Sequence, residues 1–493
     1  MLGHYAELKA QLPAGTILFY QVGTFFETFE EDAKTISREL SIRLTSREAA
    51  GEGRVPLAGV PSHALEEHVA TLLRKGHSVA IAEQRQHPTK SKQFTREISR
   101  ILTPGTVIED NVLAAGESNY LAAVVTRDGR AGVAVVEAST GEFTGTEVLE
   151  EELAGELERW SPKEMIVPER TAAEDLPKIR ATFSPVPRWT FEPSAGEQAL
   201  KRHFGVSSLK GFGLDGRDAL VGAAGALLQY LSSIRGGSPP EQIVNFRPYS
   251  PGQGMVLDSA TRRNLGLDEL IETIDRTRTP MGQRALRRWI ERPLLEVDRT
   301  NQRLEAVDAL VADYMLREEA REYLSRIPDV ERIATRIVRL SASPNDLLAL
   351  KSALEAIGPL KEALAPAAPE GSLLARVLAA MEEPPGVREL VATAISEESG
   401  EIIRAGYSTE LDEAREFRDG AHEWLTRFEA DERLKTGLKS LKVGYRDGEG
   451  YFIEVAGKEG RAVPPHYEHR KALKNAARYV TVELKEHESR MLT

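Results

Sequence analysis

The chain has 493 residues, room for three or four domains at roughly 100–200 residues each. Its 41% hydrophobic and 28% charged residues are those of a folded chain, and 64 Lys and Arg against 76 Asp and Glu give a net charge of −12, which excludes a uniformly basic binder but not a local basic face. The absence of cysteine excludes disulfides, thiol nucleophiles, Cys-ligated zinc and iron–sulfur clusters, and fits a reducing cytoplasm; no apolar run reaches the ~18–20 residues of a membrane span, and the N-terminus has no signal-peptide core.

Thr16–Val22 is apolar and β-rich and predicts a strand, Phe29–Leu40 follows helical spacing, and Val55–Val60 and Ser78–Glu83 predict further strands flanking a helix from about His63 to Lys75. The result is a small mixed α/β domain. Its end is basic: residues 74–100 hold seven Lys and Arg against two Asp and Glu, a solvated face or a binding surface. Residues 106–120 form a linker.

Tyr120–Thr126, Gly132–Ala138 and Glu142–Glu147 predict three successive strands separated by the turns Asp128-Gly129 and Thr140-Gly141. Helices at about 150–160 and 196–204, a strand at Glu164–Val167 and a long helix at Asp218–Ile234 complete an RNase H-like α/β domain, which Gly236-Gly237-Ser238-Pro239-Pro240 ends. From about 255 to 430 the pattern is nearly all helical, with Gly282–Glu291, Asp298–Arg317, Asp329–Leu340 and Asp346–Ile357 as examples and a weaker Pro- and Ala-rich connection at Ala363–Pro385. Gly444–Val455 switches to strand periodicity about an Asp447-Gly448-Glu449-Gly450 turn, and helical pattern resumes near Tyr467. The chain stops at Thr493 inside the helical run Val482–Leu492, which reads as a truncation point.

Gly23-Thr24-Phe25-Phe26-Glu27-Thr28-Phe29 lies between a strand and a helix. Alone, Phe-x-Glu is commonplace: two core aromatics and an acid at a helix N-terminus. It is followed by Ile42-Arg43-Leu44-Thr45-Ser46-Arg47, by Pro56-Leu57-Ala58-Gly59-Val60-Pro61-Ser62-His63-Ala64 and by Val79-Ala80-Ile81-Ala82-Glu83-Gln84. Leu102-Thr103-Pro104-Gly105-Thr106, Leu257-Asp258-Ser259-Ala260-Thr261-Arg262-Arg263-Asn264-Leu265 and Asp275-Arg276-Thr277-Arg278-Thr279-Pro280-Met281-Gly282 come next, then Gly406-Tyr407-Ser408-Thr409-Glu410-Leu411-Asp412 and Gly450-Tyr451-Phe452-Ile453-Glu454-Val455. Collinear over essentially the whole chain, these blocks resemble the MutS family of DNA mismatch repair proteins.

The resemblance implies a multidomain α/β plus all-α protein: a mismatch-recognition domain over 1–107, an RNase H-like connector over 117–238, a helical core or lever over 250–424, a β-containing clamp over 425–482, and the start of a returning lever helix over 483–493. It makes Phe25 the wedge that enters the duplex from the minor groove at a mispaired base, and Glu27 the contact to that base. The physics agrees: an apolar aromatic unstacks a step most easily where pairing is already weak, and a carboxylate among phosphates penalises intact DNA. Thr24 and Phe26 depart from the acid and the Tyr usual in the family; altered local hydrogen bonding without loss of recognition is expected.

Residues 431–480 hold 11 Lys and Arg against 7 Asp and Glu. Arg470, Lys471, Lys474 and Arg478 are spaced to recur along a helix, and Lys442 precedes the strand pair. They form a solvated face or, by the resemblance, the clamp's grip on the DNA backbone, with Arg47 a further backbone contact. Asp128, Glu137, Glu142 and Asp215 invite a two-metal nuclease reading, which is disfavoured because Asp128 and Glu142 sit at turns off the strand face of Glu137, and because Glu137 replaces an Asp common in the family. His63, His68 and His77 lack the i, i+4 spacing of a helical ligand pair, so no metal site is expected.

MutS proteins end in an ATPase and dimerisation domain with G-x-x-x-x-G-K-[ST], and that pattern is absent here. No cofactor is therefore expected on these residues; ATP and magnesium belong to the C-terminal domain of the full-length family, a DNA-dependent ATPase. Implied partners are duplex DNA with mismatches or small loops, a second copy in a homodimer and a downstream ATPase of the MutL type; the implied place is the cytoplasm, at the nucleoid. Two other readings remain open: a relative that binds DNA junctions, disfavoured by Phe25 and Glu27, and a nuclease.

Overall fold

The computed structural model describes the chain apart from residues 50–52, 87–93, 108–112, 114–115, 172–177, 251, 253, 399, 447–449, 458–462, 474 and 487–493. It divides into two units, Met1–Val391 and Ala392–Thr493.

The first unit begins with a six-stranded sheet: β1 (Ile17–Val22), β2 (Phe25–Phe29), β3 (Thr45–Ala49), β4 (Gly53–Pro61), β5 (Val79–Gln86) and β6 (Phe94–Leu102), in the order β3-β4-β2-β1-β5-β6. β1 and β5 are parallel and the other pairs antiparallel. Period-2 alternation gives the sheet two apolar faces. One carries Ile17, Phe19, Phe26 and Val60 against the helices Glu30–Leu40 and Leu65–Arg74. The other carries Leu18, Tyr20 and Phe29 against the N-terminal helix Leu2–Ala10. The buried Asp32 carboxylate fastens that helix, accepting from Tyr5 Oη (2.7 Å), Lys9 Nζ (2.7 Å) and Leu18 N (2.9 Å). Sequence reading omitted the N-terminal helix, β2, β3 and β6.

The second sheet has the order β11-β10-β7-β8-β9-β12. β7 (Tyr120–Arg127), β8 (Arg130–Glu137) and β9 (Glu142–Leu149) form an antiparallel meander, with β10 (Glu164–Pro168) parallel to β7 and β11 (Thr182–Val186) parallel to β10. β12 is the short Arg247–Pro248. Helices Pro193–Phe204 and Asp218–Ser233 pack on one face and Leu153–Trp160 on the other, the RNase H-like arrangement. Glu164, fully buried, joins this sheet to the first: its carboxylate accepts from Gly105 N (2.9 Å), Ser184 Oγ (2.7 Å) and Tyr230 Oη (2.6 Å), and from the Thr103 hydroxyl.

Helices follow. The expected helix Asp298–Arg317 is two, Val297–Ala312 and Tyr314–Ser325, because Asp313 turns the chain out of helix and its side chain accepts from Leu316 N (3.0 Å) to cap the second. Pro344–Leu364 runs longer than expected, through Pro359, and starts with a Ser343/Asp346 capping box. The link Gly266–Ile274 folds as a helix from Leu267.

In the second unit the long helix Thr409–Thr436 ends at Gly437 and leads into an antiparallel sheet of order β13-β14-β16-β15. Its strands are β13 (Lys442–Arg446), β14 (Gly450–Ala456), β15 (Glu468–Ala472) and β16 (Ala476–Val480). The expected helix from Tyr467 onward is therefore a β-hairpin. Residues 468–480 are rich in Ala, Leu, Lys and Arg, good helix formers, but β16 pairs with β14 and buries Val480 beside Ile453 and Val455; tertiary packing overrides propensity.

Candidate nucleic-acid interface

β1 and β2 are joined by the two-residue turn Gly23-Thr24, with Val22 paired to Phe25 across it. Gly23 sits at φ 63, in the left-handed region that a tight hairpin turn requires and that glycine takes without strain. The Thr24 carbonyl accepts from Ser62 N (2.9 Å), which holds the turn against the end of β4. Phe25 is thus the first residue of a central strand, between Val22 and Pro61.

Alternation along β2 separates the two adjacent phenylalanines. Phe26 and Thr28 point to the face covered by Glu30–Leu40, and Phe26 is 5% exposed. Phe25, Glu27 and Phe29 point to the opposite face, where Tyr5 of the N-terminal helix packs edge-on to Phe29 with ring centroids 4.9 Å apart. Phe25 lies at the far end of the strand and is 47% exposed. Of the two, Phe26 serves the core and Phe25 does not.

Glu27 stands between these extremes. Its strand neighbours are Tyr20 on β1 and Gly59 on β4. A Cβ at Gly59 would lie 3.4 Å from the Glu27 Cγ and 3.1 Å from the Phe26 carbonyl oxygen, so a side chain there would crowd the β2 backbone beside Glu27. Glu27 Oε2 is enclosed and accepts no hydrogen bond, while Arg47 Nη1 on β3 lies 3.8 Å away. Burial pushes the Glu27 carboxyl above its ordinary range, and the Arg47 charge offsets only part of that.

Arg47 is exposed and pairs in register with Val55, on the same face as Glu27. Arg96 on β6 approaches from the other side: Nε donates to the Gln21 carbonyl (2.7 Å), Nη2 to Gln84 Oε1 (2.8 Å), and the guanidinium lies 5.1 Å from the Tyr20 ring centroid. Phe25 and Glu27 are therefore flanked by two arginines. The basic run is visible in the sequence, but nothing in it singles out Arg96, whose place depends on the β5–β6 register.

In the second unit, registered pairs align Lys442 (β13), Glu454 (β14), Arg478 (β16) and Lys471 (β15) in one cross-strand row. The opposite face, with Ile453 and Val455, packs on Phe428 and Leu441. Arg478 Nε donates to Glu454 Oε2 (2.9 Å), and the Arg478 guanidinium stacks 3.9 Å from the Phe452 ring centroid. Lys442 and Lys471 are exposed at either side of that pair. Arg470 falls at the register shift between His469 and Lys471. The cations expected along a helix face are instead a row across a sheet. Lys474 lies outside the described residues.

The connector carboxylates do not all behave as expected. Glu142 is not merely a turn residue: it opens β9 and pairs directly with Glu137. Each is already engaged. Glu137, 1% exposed, accepts from Ser139 Oγ (2.8 Å), and burial raises its pKa. Glu142 lies 3.3 Å from Arg288. Asp128 belongs to the β7–β8 turn, and Asp215 pairs at 3.9 Å with Lys210. Gly205 caps the C-terminal end of Pro193–Phe204, where the helix dipole repels anions.

A two-faced sheet with a protruding aromatic, an RNase H-like sheet, and helices leading to a small cationic sheet define the multidomain MutS architecture. MutS domain I matches residues 1–111, MutS domain II residues 119–241 and MutS domain III residues 259–489. A DNA mismatch repair protein MutS of Methanosarcina acetivorans is 38% identical over 532 residues, covering 99% of this chain and 58% of that protein. Those of Symbiobacterium thermophilum and Chlorobaculum parvum are each 38% identical, covering 100% of this chain and 59% of theirs. The chain belongs to the MutS family. It spans a little under three fifths of the length of these relatives.

Proposed function

We propose that this chain binds duplex DNA at mispaired or unpaired bases by inserting Phe25, and so acts in the initiation of mismatch repair. The observation that carries the reading is the pairing of an exposed Phe25 at a pinned hairpin end with an enclosed Glu27 carboxyl on the same strand face, 3.8 Å from Arg47. Phe25 stacks on the base and unstacks the step, at a cost of a few kcal/mol that is smallest where pairing is weak. A protonated Glu27 donates to an acceptor on the displaced base; on intact DNA the same carboxylate meets phosphates and costs affinity. Arg47 and Arg96 face the backbone beside the wedge.

The row Lys442, Arg478 and Lys471 gives sequence-independent, salt-dependent grip, with Arg470 adding charge nearby; Lys474 is a further backbone contact by the resemblance alone. Homodimerisation, recruitment of a MutL-type ATPase and action at the nucleoid complete the reading. ATP and magnesium act through residues other than these, because the sequence has no G-x-x-x-x-G-K-[ST] pattern. Among the described residues no helix is long and apolar enough to cross a membrane.

The test is equilibrium binding of the chain to duplexes with a G·T pair or a single-base bulge and to the matched duplex, at one salt concentration. The proposal expects tighter binding to the first two. Equal affinities, or preference for a branched duplex, would overturn it.

A further inference from the structure

A second cationic constellation lies between the RNase H-like sheet and the first long helices, away from Phe25 and within the first unit. A cleft of about 250 Å³ is walled by the side chains of Arg159, Arg288, Arg292, Arg299 and Arg303, with Trp160 and Trp289. Arg159 and Trp160 end the helix Leu153–Trp160; Arg288, Trp289 and Arg292 end the helix Pro280–Glu291; Arg299 and Arg303 start the helix Val297–Ala312. Three separate elements thus converge their arginines on one space.

Three of the five guanidiniums lie over aromatic rings. Arg292 stacks 3.8 Å from the Trp160 ring centroid and Arg303 3.8 Å from that of Trp289, while Arg159 lies 5.4 Å from that of Tyr249. A guanidinium seated over an indole face is held by cation–π attraction and keeps N–H donors for a further partner. Arg159 is 9% exposed, and neither its Nε nor its Nη1 donates a hydrogen bond; Nε of Arg292, also enclosed, donates none. A buried donor without an acceptor costs free energy, and a charged one more so.

The charges do not cancel. Arg159 lies 3.7 Å from Glu156, Arg288 3.3 Å from Glu142 and Arg299 3.7 Å from Glu296. Glu156 Oε1 is already shared by Trp160 Nε1 (3.1 Å) and Tyr249 Oη (2.5 Å). Set against the three carboxylates paired with them, the five guanidiniums carry two further positive charges. Burial and the like charge of Arg299 pull Arg303 below the ordinary arginine range.

We infer that this cleft is a binding subsite for a phosphate group. A phosphate monoester carries about −1.5 to −2 charge near neutrality, which matches those two charges, and its tetrahedral oxygens accept from several guanidiniums at once. The cleft's size admits one or two phosphoryl groups and not an extended segment. The subsite is separate from the proposed mismatch contact. Its ligand is either a free phosphate compound or the phosphate of a nucleic-acid strand.

The test is titration of the full 493-residue chain with inorganic pyrophosphate at constant ionic strength, read by tryptophan emission, since two of the four tryptophans border the cleft. Parallel titrations use a 5′-phosphorylated single strand, the same strand without the phosphate, and acetate. A saturable change with pyrophosphate assigns a free phosphate ligand, and one only with the phosphorylated strand assigns a nucleic-acid end. Arg299→Gln/Arg303→Gln, at the cleft mouth, should weaken either by about 10-fold or more. Arg38→Gln and Phe25→Ala should leave it unchanged, so a failure of the mismatch reading does not touch this one. No saturable response to any phosphate compound, an equal response to acetate, or unaltered binding by the folded double variant would overturn the inference.

Discussion

Phe25 and Phe26 are adjacent, identical in type and opposite in consequence. Phe26 is 5% exposed among Phe19, Ala33, Ile36 and Val60, so Phe26→Ala removes a core side chain and should cost about 3–5 kcal/mol of stability. Phe25 is 47% exposed beyond the reach of the N-terminal helix, so Phe25→Ala should change stability by no more than about 1 kcal/mol. Their effects on binding invert. Losing an aromatic that stacks on a base costs about 1–3 kcal/mol, roughly 5- to 150-fold in affinity, and only for the duplex that lets the ring in. Urea denaturation followed by heteroduplex and homoduplex titration of each variant gives all the required numbers. Phe25→Ala should unfold like the wild type and bind both duplexes with nearly the homoduplex affinity. A Phe25→Ala protein that unfolds several kcal/mol more easily, or that keeps full discrimination, would refute the division of roles read from β2.

Because burial raises the Glu27 pKa in the folded state, the folded chain holds its proton more tightly than the unfolded chain; the stability this provides is full below the ordinary carboxylate range and is lost as pH rises through the folded value. Glu27→Gln should therefore stabilise the protein at pH 8 relative to wild type, with the difference in Tm vanishing near pH 4, and should raise homoduplex affinity; a pH-independent difference would count against it. Lys442→Gln and Lys471→Gln should weaken heteroduplex and homoduplex alike and each reduce the slope of log K against log salt by about 1, whereas a change confined to the mismatch would show that the row reads the lesion. Arg332, 2% exposed, donates to the Glu117 carbonyl (2.9 Å) and Ser139 Oγ (3.2 Å) and lies near buried Glu137; Arg332→Met should cost about 3–5 kcal/mol by stranding that carboxylate, and a loss under 1 kcal/mol by chemical denaturation would contradict the network.

Apolar runs made β1 and the meander β7 to β9 legible, because Ile17–Val22 and Tyr120–Arg127 are continuous β-forming segments. β3 was not, since Thr45–Ala49 is polar and gains strand structure only by pairing with β4. β15 and β16 were misread as helix for the reason their composition suggests, and that error turned a row of cations across a sheet into a helical stripe. The site was half legible. Phe25 and Glu27 came from the resemblance, while the physical distinction between Phe25 and Phe26 needed β2 to be a strand. The closeness of Gly59 to β2, the approach of Arg96 and the enclosure of Glu27 depend on cross-strand register, which one strand's sequence does not encode.

The central claim is that the Phe25 ring stacks on a mispaired base. Replacing the thymine of a G·T pair with 5-iodouracil, irradiating the complex and mapping the cross-linked peptide tests this contact directly. The expected product is a cross-link within the peptide that contains Phe25, absent from the matched duplex and lost in Phe25→Leu. A cross-link of equal yield in matched DNA, or one that maps away from the Gly23-Thr24 hairpin, would contradict it.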